Sequence, residues 1–469
     1  MYGYRISGRW LMLLALPGWW GAAPAVRAEP RLSELLLLGA GNRPEDLPAT
    51  GAEFDARLTS IGPDGKLQFQ TPAGALALSQ TKLVRWSSPS DRSPAHCLVL
   101  TDGSRIVFSR PWDPRPMISM AAGAVTVHSA ALGELALSLD RLRAMVLHGP
   151  AESGQYDRLL SRLWAWQGPG DRLSLMGGDW LVGRLIEIHR AEPMRSDAAS
   201  PARSAHGESR LEELVVFDSE VGRVTVPLDR VAGLSFQPGH SGQPTPASLR
   251  LGAGLRDGSW LVCDRLTGSR ENAGLGGLRL HLLAGLKLAC GNGQEVVALQ
   301  QLGSTASGSP LVYLSDLEPV RYQHQPYLDI PWPYRTDHNV WGGRLRVNGR
   351  VYPKGLGMHS SSRLTYRIPP GGGRLAAQVA IDDVTAGQGS VVFLVELLRG
   401  GQWREVYRSP VVRGGEPPRG VSVHLAAARQ LALVTEYADR GDAWDDADWL
   451  DARLERGVDG RESDQEPGH

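Results

Sequence analysis

One turn recurs along the first two thirds of this chain and limits what it can fold into. Thr101-Asp-Gly-Ser-Arg-Ile-Val-Phe108, Met176-Gly-Gly-Asp-Trp-Leu-Val182 and Arg256-Asp-Gly-Ser-Trp-Leu-Val262 each place a glycine between segments of alternating hydrophobicity. That glycine supplies the positive φ of a tight hairpin, and the alternation supplies two half-buried strands. A second pattern follows each turn: Gly133-Glu-Leu-Ala-Leu-Ser-Leu-Asp-Arg-Leu142 aligns with Gly222-Arg-Val-Thr-Val-Pro-Leu-Asp-Arg-Val231. Gly74-Ala-Leu-Ala-Leu-Ser-Gln-Thr-Lys-Leu83 reads as an earlier copy, and Gly293-Gln-Glu-Val-Val-Ala-Leu-Gln-Gln-Leu302 closes the last. The spacing from Gly103 to Gly178 to Gly258 is about 80 residues, too long for most solenoid repeats and enough for a five-stranded barrel or sheet. Residues 52–310 therefore read as about four tandem all-β units, the first abbreviated. Propeller blades fit less well, because the lengths are irregular and blade-type dipeptides are missing.

Outside this pattern the elements are few. Arg31 to Leu38 reads as a short helix, and Gln155 to Trp166 as another, with Leu159, Leu160, Leu163 and Trp164 on one face. Ala191 to Glu208, rich in Ala, Ser, Pro and charge, reads as an exposed loop; Pro238 to Pro246 punctuates the boundary before the fourth unit. Residues 457–469 read as a disordered tail.

With 469 residues there is room for two to four domains, and 42% hydrophobic content gives each a core. Lys+Arg and Asp+Glu are equal at 50 each, so no global field draws nucleic acid. Arg5 and Arg9, the apolar run from Trp10 to Trp20 and the small residues up to Val26-Arg-Ala28 have the three parts of a secretory signal over residues 1–28, with cleavage before Glu29. The run is too short for a spanning helix, which takes about 20 residues. Residues 29–51 form an N-terminal segment, no transmembrane segment is expected after cleavage, and the expected location is secreted, periplasmic or cell-surface. Of Cys97, Cys263 and Cys290, the last two fall within one repeat; they either pair across neighbouring strands or stand as buried free thiols.

The last third alternates most clearly: Leu364, Tyr366, Ile368; Leu375, Ala377, Val379, Ile381; Val391, Phe393, Val395, Leu397; Val421, Val423, Leu425; Leu431, Leu433. Five or more strands with one apolar face predict two packed antiparallel sheets. Five ordered blocks run through them: Tyr313-Leu-Ser-Asp-Leu-Glu318, Lys354-Gly-Leu-Gly-Met-His359, Ile381-Asp-Asp383, Gly389-Ser-Val-Val-Phe393 and Asp446-Ala-Asp-Trp449. Over residues 311–456 the chain resembles the NPCBM family of carbohydrate-binding modules. The resemblance implies a galactose-binding-like β-sandwich (jelly roll) that recognises carbohydrate, and in the family's pattern His359, Asp382 and Asp383 match recurring positions. It departs at Asp446, where the family's closing block has His, and at Met358, where a small polar residue is common.

A sugar site needs aromatic faces to stack on a pyranose and fixed polar groups to select its hydroxyls. The candidates are His359, Asp382, Asp383, Trp341, Trp444 and Trp449, with Trp332 and Trp403 also in the module. Each has a structural alternative: Asp382 as a turn cap, His359 on a loop carbonyl, Trp449 in the core. Asp442, Asp445 and Asp446 crowd the last loop and offer oxygen ligands for a structural calcium, or are simply an acid-rich exposed loop. No HExxH, G-x-S-x-G or Walker pattern occurs, and Gly252-Ala-Gly254 lacks a dinucleotide context. The expected function is non-catalytic binding of a glycan, galactose-type by resemblance, outside the cell. The alternatives are a structural or protein-interaction component of the envelope in which the sandwich binds protein and has lost its sugar site, and a glycoside hydrolase accessory with an unrecognised active site; envelope proteins are further expected partners through the repeats.

Overall fold

The computed structural model describes residues 33–37, 54–91, 95–109, 117–191, 212–237, 249–268, 276–292, 295–303, 309–327, 330–369, 373–439 and 441–456. The signal-like segment, most of the loop at 191–208, the Pro238 to Pro246 boundary and the tail lie outside them. Among the described residues the chain is almost entirely strand, with one α-helix, Ser153–Trp164.

The N-terminal two thirds close into four strand groups, and in each the last strand returns to pair with the first. The pairings are Leu35 with Trp86, Leu98 with Met145, Leu173 with Leu234, and Ala253 with Leu299. In three groups a short 3-10 turn (Gln80–Lys82, Leu139–Arg141, Leu228–Arg230) redirects the chain into that returning strand. The first group is complete rather than abbreviated. Ser33–Leu37 is its opening strand, where the sequence read as a helix, because Leu35 and Leu36 find backbone partners in Trp86 and Arg85.

The groups also pair with one another. Ala144–Val146 runs against Gly233–Ser235, and Leu299 and Gln300 against Trp86 and Arg85. The Asp-Gly-Ser hairpins of the second and fourth groups exchange contacts: Ser104 Oγ accepts from Val262 N and Ser259 Oγ from Val107 N, both at 2.9 Å. In these two hairpins the serine after the turn glycine therefore joins units. One apolar cluster runs through all four groups. Cys97, Cys263 and Cys290 are buried free thiols, so the alternative of a Cys263–Cys290 disulfide is not what forms.

The helix Ser153–Trp164 is capped by Glu152, which accepts from Gly154 N at 2.6 Å and Gln155 N at 2.9 Å. Leu159, Leu160 and Leu163 pack with Val99, Ala144 and Val146, while Trp164 stays partly exposed.

Residues 311–455 form a β-sandwich. In one sheet Asp446–Glu455 is central, flanked by Arg374–Ile381 on one side and by Gly355–His359 and Leu311–Tyr313 on the other. In the second sheet Gln430–Tyr437 lies between Ser362–Arg367 and Ser390–Arg399. The alternating residues read from sequence fill the space between the sheets. Lys354 ties two loops to this frame: its Nζ lies 2.7 Å from Asp316 Oδ1 and 2.7 Å from Asp337 Oδ2.

Sandwich and array touch over a mixed surface. Leu311 and Tyr313 pack with Leu36 and Val84. Beside them Asp451 accepts from Gln300 Nε2 at 2.7 Å and sits 3.5 Å from Arg85 Nε, both carboxylate and guanidinium buried. Every residue of the sandwich core cluster nonetheless comes from within 311–455. A fragment of residues 311–456 should therefore show a cooperative thermal transition. Uncovering Leu311 and Tyr313 removes roughly 1.5–3 kcal/mol each, so its midpoint should fall about 5–15 °C below that of the same transition in the full chain, as scanning calorimetry would show.

Candidate functional site

At one end of the sandwich, loops from four parts of the chain meet over the strand pair that joins His359 to Asp446. Gly357 permits the close approach of one of them, since a Cβ there would stand 2.5 Å from the His338 carbonyl oxygen. Gly389 permits another: its φ is +86°, and a Cβ would stand 2.0 Å from the Trp444 carbonyl oxygen.

His359 forms the floor. Its Nδ1 donates to the Ser360 carbonyl at 2.7 Å, leaving Nε2 3.9 Å from Asp446 Oδ1. Trp332 stacks on its ring at 4.8 Å with planes 10° apart, and Trp341 meets Trp332 edge-on at 4.8 Å. Trp341 Nε1 donates to Asp446 Oδ2 at 2.8 Å. His324 stands edge-on to His359 at 6.1 Å, and Tyr327 packs edge-on to Tyr437 beside Gly441. Trp341 is 45% exposed, Trp444 51% and Tyr327 63%, whereas His359 and Asp446 are 4% and 2%. The arrangement is a rim of aromatic surface over a buried, hydrogen-bonded base.

The sequence candidates thus separate. His359, Trp341, Trp444 and Asp446 converge at this end. Trp449 does not: it is fully buried against Phe393, with Nε1 3.3 Å from Thr435 Oγ1, and is a core residue. Asp382 is buried as a turn cap. It accepts from Val384 N at 2.8 Å and Asn339 Nδ2 at 3.1 Å through one oxygen and from Arg346 N at 2.9 Å through the other. Asp383 accepts from Asn348 N and Gly349 N, each at 2.8 Å. Both carboxylates hold the ribbon Leu345–Val347/Arg350–Tyr352 in place, leaving no free oxygen aimed at a ligand. His324 and Tyr327 escaped sequence reasoning, since His324-Gln-Pro-Tyr327 carries no signal beyond its composition.

Two of the three acids offered for calcium are partly committed to the fold. Asp445 spends one oxygen on Ser390 N at 2.8 Å and the other on Ser360 Oγ at 2.7 Å, and Asp446 spends one on Trp341. Ca²⁺ takes six to eight oxygen ligands, and among the described residues no group of three or more acidic, His or Cys side chains is arranged to hold a metal.

Protons matter more. Asp448 is wholly buried against Asp382, and its carboxyl oxygens have no other hydrogen-bond partner among the described residues. Two carboxyl groups in a dry contact cannot both ionise, so the pair holds a proton. Burial pushes Asp382 up to about 6 and Asp445 up to about 7, and burial followed by the neighbouring Asp382 carries Asp448 well above the ordinary range.

Residues 311–455 match the NPCBM/NEW2 domain model. Over 115 residues the chain is 33% identical to the protein named "Putative endo-alpha-N-acetylgalactosaminidase" in Renibacterium salmoninarum, covering 24% of this chain and 7% of that one. Over 121 residues it is 31% identical to alpha-1,3-galactosidase B of Akkermansia muciniphila, covering 25% and 15%. The chain thus spans only a small part of these relatives. Among solved structures it is similar to the CBM51 module of Clostridium perfringens GH95 in complex with methyl-galactose, at 26% identity over 31% of this chain and 99% of that one, with a TM-score of 0.27. The β-sandwich of residues 311–455 is therefore the part of the chain that the domain model describes. The chain carries an NPCBM domain at its C-terminal end.

The raised carboxyls fix a sign for pH dependence. Groups that hold protons more tightly when folded stabilise fully below the unfolded carboxyl value of about 4, and this contribution is lost as pH rises through their folded values. The sandwich transition should therefore move to lower temperature between pH 5 and pH 8. Asp448→Asn, which keeps a donor toward Asp382 and has no proton to lose, should flatten that fall in calorimetry across the same range.

Proposed function

We propose that this protein is an exported, non-catalytic glycan-binding protein whose sandwich takes a galactose-configured sugar on the aromatic rim formed by Trp341, Trp444 and Tyr327. The observation that carries the reading is the set of exposed rings beside a buried polar base in which His359 Nε2 and Asp446 Oδ1 stand 3.9 Å apart. A pyranose presents an apolar face for stacking and hydroxyls for hydrogen bonding. The exposed Trp341 indole, with His359 and Asp446 beside it, meets both needs. The sugar class draws support from the relatives, which by name act on N-acetylgalactosamine and α-1,3-linked galactose.

Export rests on the Arg-flanked apolar segment ending at Ala28, which lies outside the described residues. The array supplies the rest of the reading: it buries one large core and docks the sandwich, and it presents none of the catalytic motifs sought in the sequence. Contacts of the array with envelope proteins would be compatible with this role.

The test is a glycan array followed by calorimetric titration of the full chain. Galactose- or N-acetylgalactosamine-terminated glycans should bind, and Trp341→Ala or Trp444→Ala should each weaken binding about 10- to 100-fold, since truncating a central aromatic costs about 2 kcal/mol or more. Melting should change little in Trp444→Ala, whose ring is half exposed, and should fall in Trp341→Ala, which leaves the buried Asp446 carboxyl without its indole partner. Retained affinity in both variants would move the sugar elsewhere, and turnover of chromogenic α-galactosides by the parent would end the non-catalytic reading.

A further inference from the structure

Trp341, the rim residue tied directly to Asp446, is followed by Gly342 and Gly343, the two residues least able to hold a loop in one conformation by themselves. What holds this loop comes from two sides. From within the sandwich, Asn339 Oδ1 accepts from Trp341 N at 3.2 Å and from Gly343 N at 2.9 Å. From the array, the helix Ser153–Trp164 reaches the residues just after Trp341. Ser161 Oγ donates to the Gly342 carbonyl, and an added Cβ on Gly343 would stand 3.3 Å from Asp157 Cβ.

A charged clamp completes the contact. Arg344 Nε lies 2.7 Å from Asp157 Oδ1, and its terminal nitrogen 3.2 Å from Asp91 Oδ1. Arg346 takes the opposite oxygens, Asp157 Oδ2 at 3.1 Å and Asp91 Oδ2. The four side chains are only 3–15% exposed, so each charge depends on the others for its solvation. The segment from Trp341 to Arg346 is thereby fixed to a helix nearly two hundred residues earlier in the chain, in a different fold unit.

We propose that the array sets the affinity of the sandwich for its glycan by positioning Trp341 through Ser161 and Asp157, which act as positioning residues on the glycine pair and on Arg344 and never touch the sugar. This rests on the glycan-binding reading above. The chemistry is preorganisation: a ring already held against Asp446 loses little freedom when a pyranose stacks on it, whereas a ring on a free Trp-Gly-Gly loop must first be ordered.

The experiment uses the full chain labelled with 5-fluorotryptophan, the Trp341 fluorine signal being assigned with Trp341→Phe, alongside titration with the galactose-configured glycan bound by the parent. Ser161→Ala should shift the Trp341 signal without ligand and weaken binding about three- to tenfold, the loss expected for one hydrogen bond. Ser161→Thr, which keeps the hydroxyl, should retain the parent's signal and affinity. Asp157→Asn should shift the signal and weaken binding more than Ser161→Ala does. Unchanged affinity and an unmoved Trp341 signal in both Ser161→Ala and Asp157→Asn would overturn the proposal, and so would a lowered melting temperature with the signal unmoved, since the contacts would then only hold the two parts together. If the parent binds no glycan, the functional reading fails, while the fluorine signal still decides whether the array positions Trp341.

Discussion

The structure of the C-terminal part turns on the strand Asp446–Glu455, all ten of whose residues are buried although five carry ionisable side chains. An unpaired charge in that position would cost more than the strand's apolar residues return, so each needs a partner or a proton. Asp446 takes the Trp341 indole, and burial followed by the neighbouring Asp382 pushes the Asp448 carboxyl toward its neutral form. Asp451 takes Gln300 and Arg85, while Arg453 and Arg374 close on Glu455 at 2.9 Å and 2.5 Å. Each requirement places another segment. The Trp341 loop, the ribbon at Leu345–Tyr352, the array face at Gln300 and the neighbouring strand are all set by what this one strand buries.

The ordered sequence blocks make physical sense in that light, because they answer one another. Lys354 joins Asp316 of the first block, His359 faces Asp446 of the last, Asp382 faces Asp448, and Gly389 makes room for the carbonyl of Trp444. A pattern of reciprocal contacts leaves a fixed order and spacing in the chain, which is why the fold could be read from it. The alternating core residues were legible for the same reason: a strand with one dry face repeats every two residues whatever lies beyond it.

What escaped was decided by distance in sequence. Ser33–Leu37 has the composition of a helix end, and only its pairing with Trp86 makes it a strand. Asp382 and Asp383 were candidates through the resemblance, with a turn cap as the alternative for Asp382, and nothing local tells that the amides of Arg346, Asn348 and Gly349 turn toward them. Trp449 and Trp444, five residues apart, differ only in which side of the strand entry they occupy: one fills the core and the other stays half in water. The stacking of Trp332 on His359 likewise needs the loop closed before it exists.

The joint between array and sandwich divides its work between two kinds of contact. The quartet of Asp91, Asp157, Arg344 and Arg346 is neutral in sum and shielded from water, so salt screens it weakly. Its attraction is largely offset by the desolvation of four charges, which makes it a poor source of adhesion and a strict source of geometry, since removing one member strands the rest. Adhesion comes instead from Leu36, Val84, Leu311 and Tyr313, whose burial carries no such offset and tolerates small shifts. Apolar contact alone would hold the two parts together in several orientations; the charges select the one in which the helix Ser153–Trp164 lies against the loop of Trp341. The exposed ring of Trp341 is thereby built into a position that the sandwich's own residues only half determine.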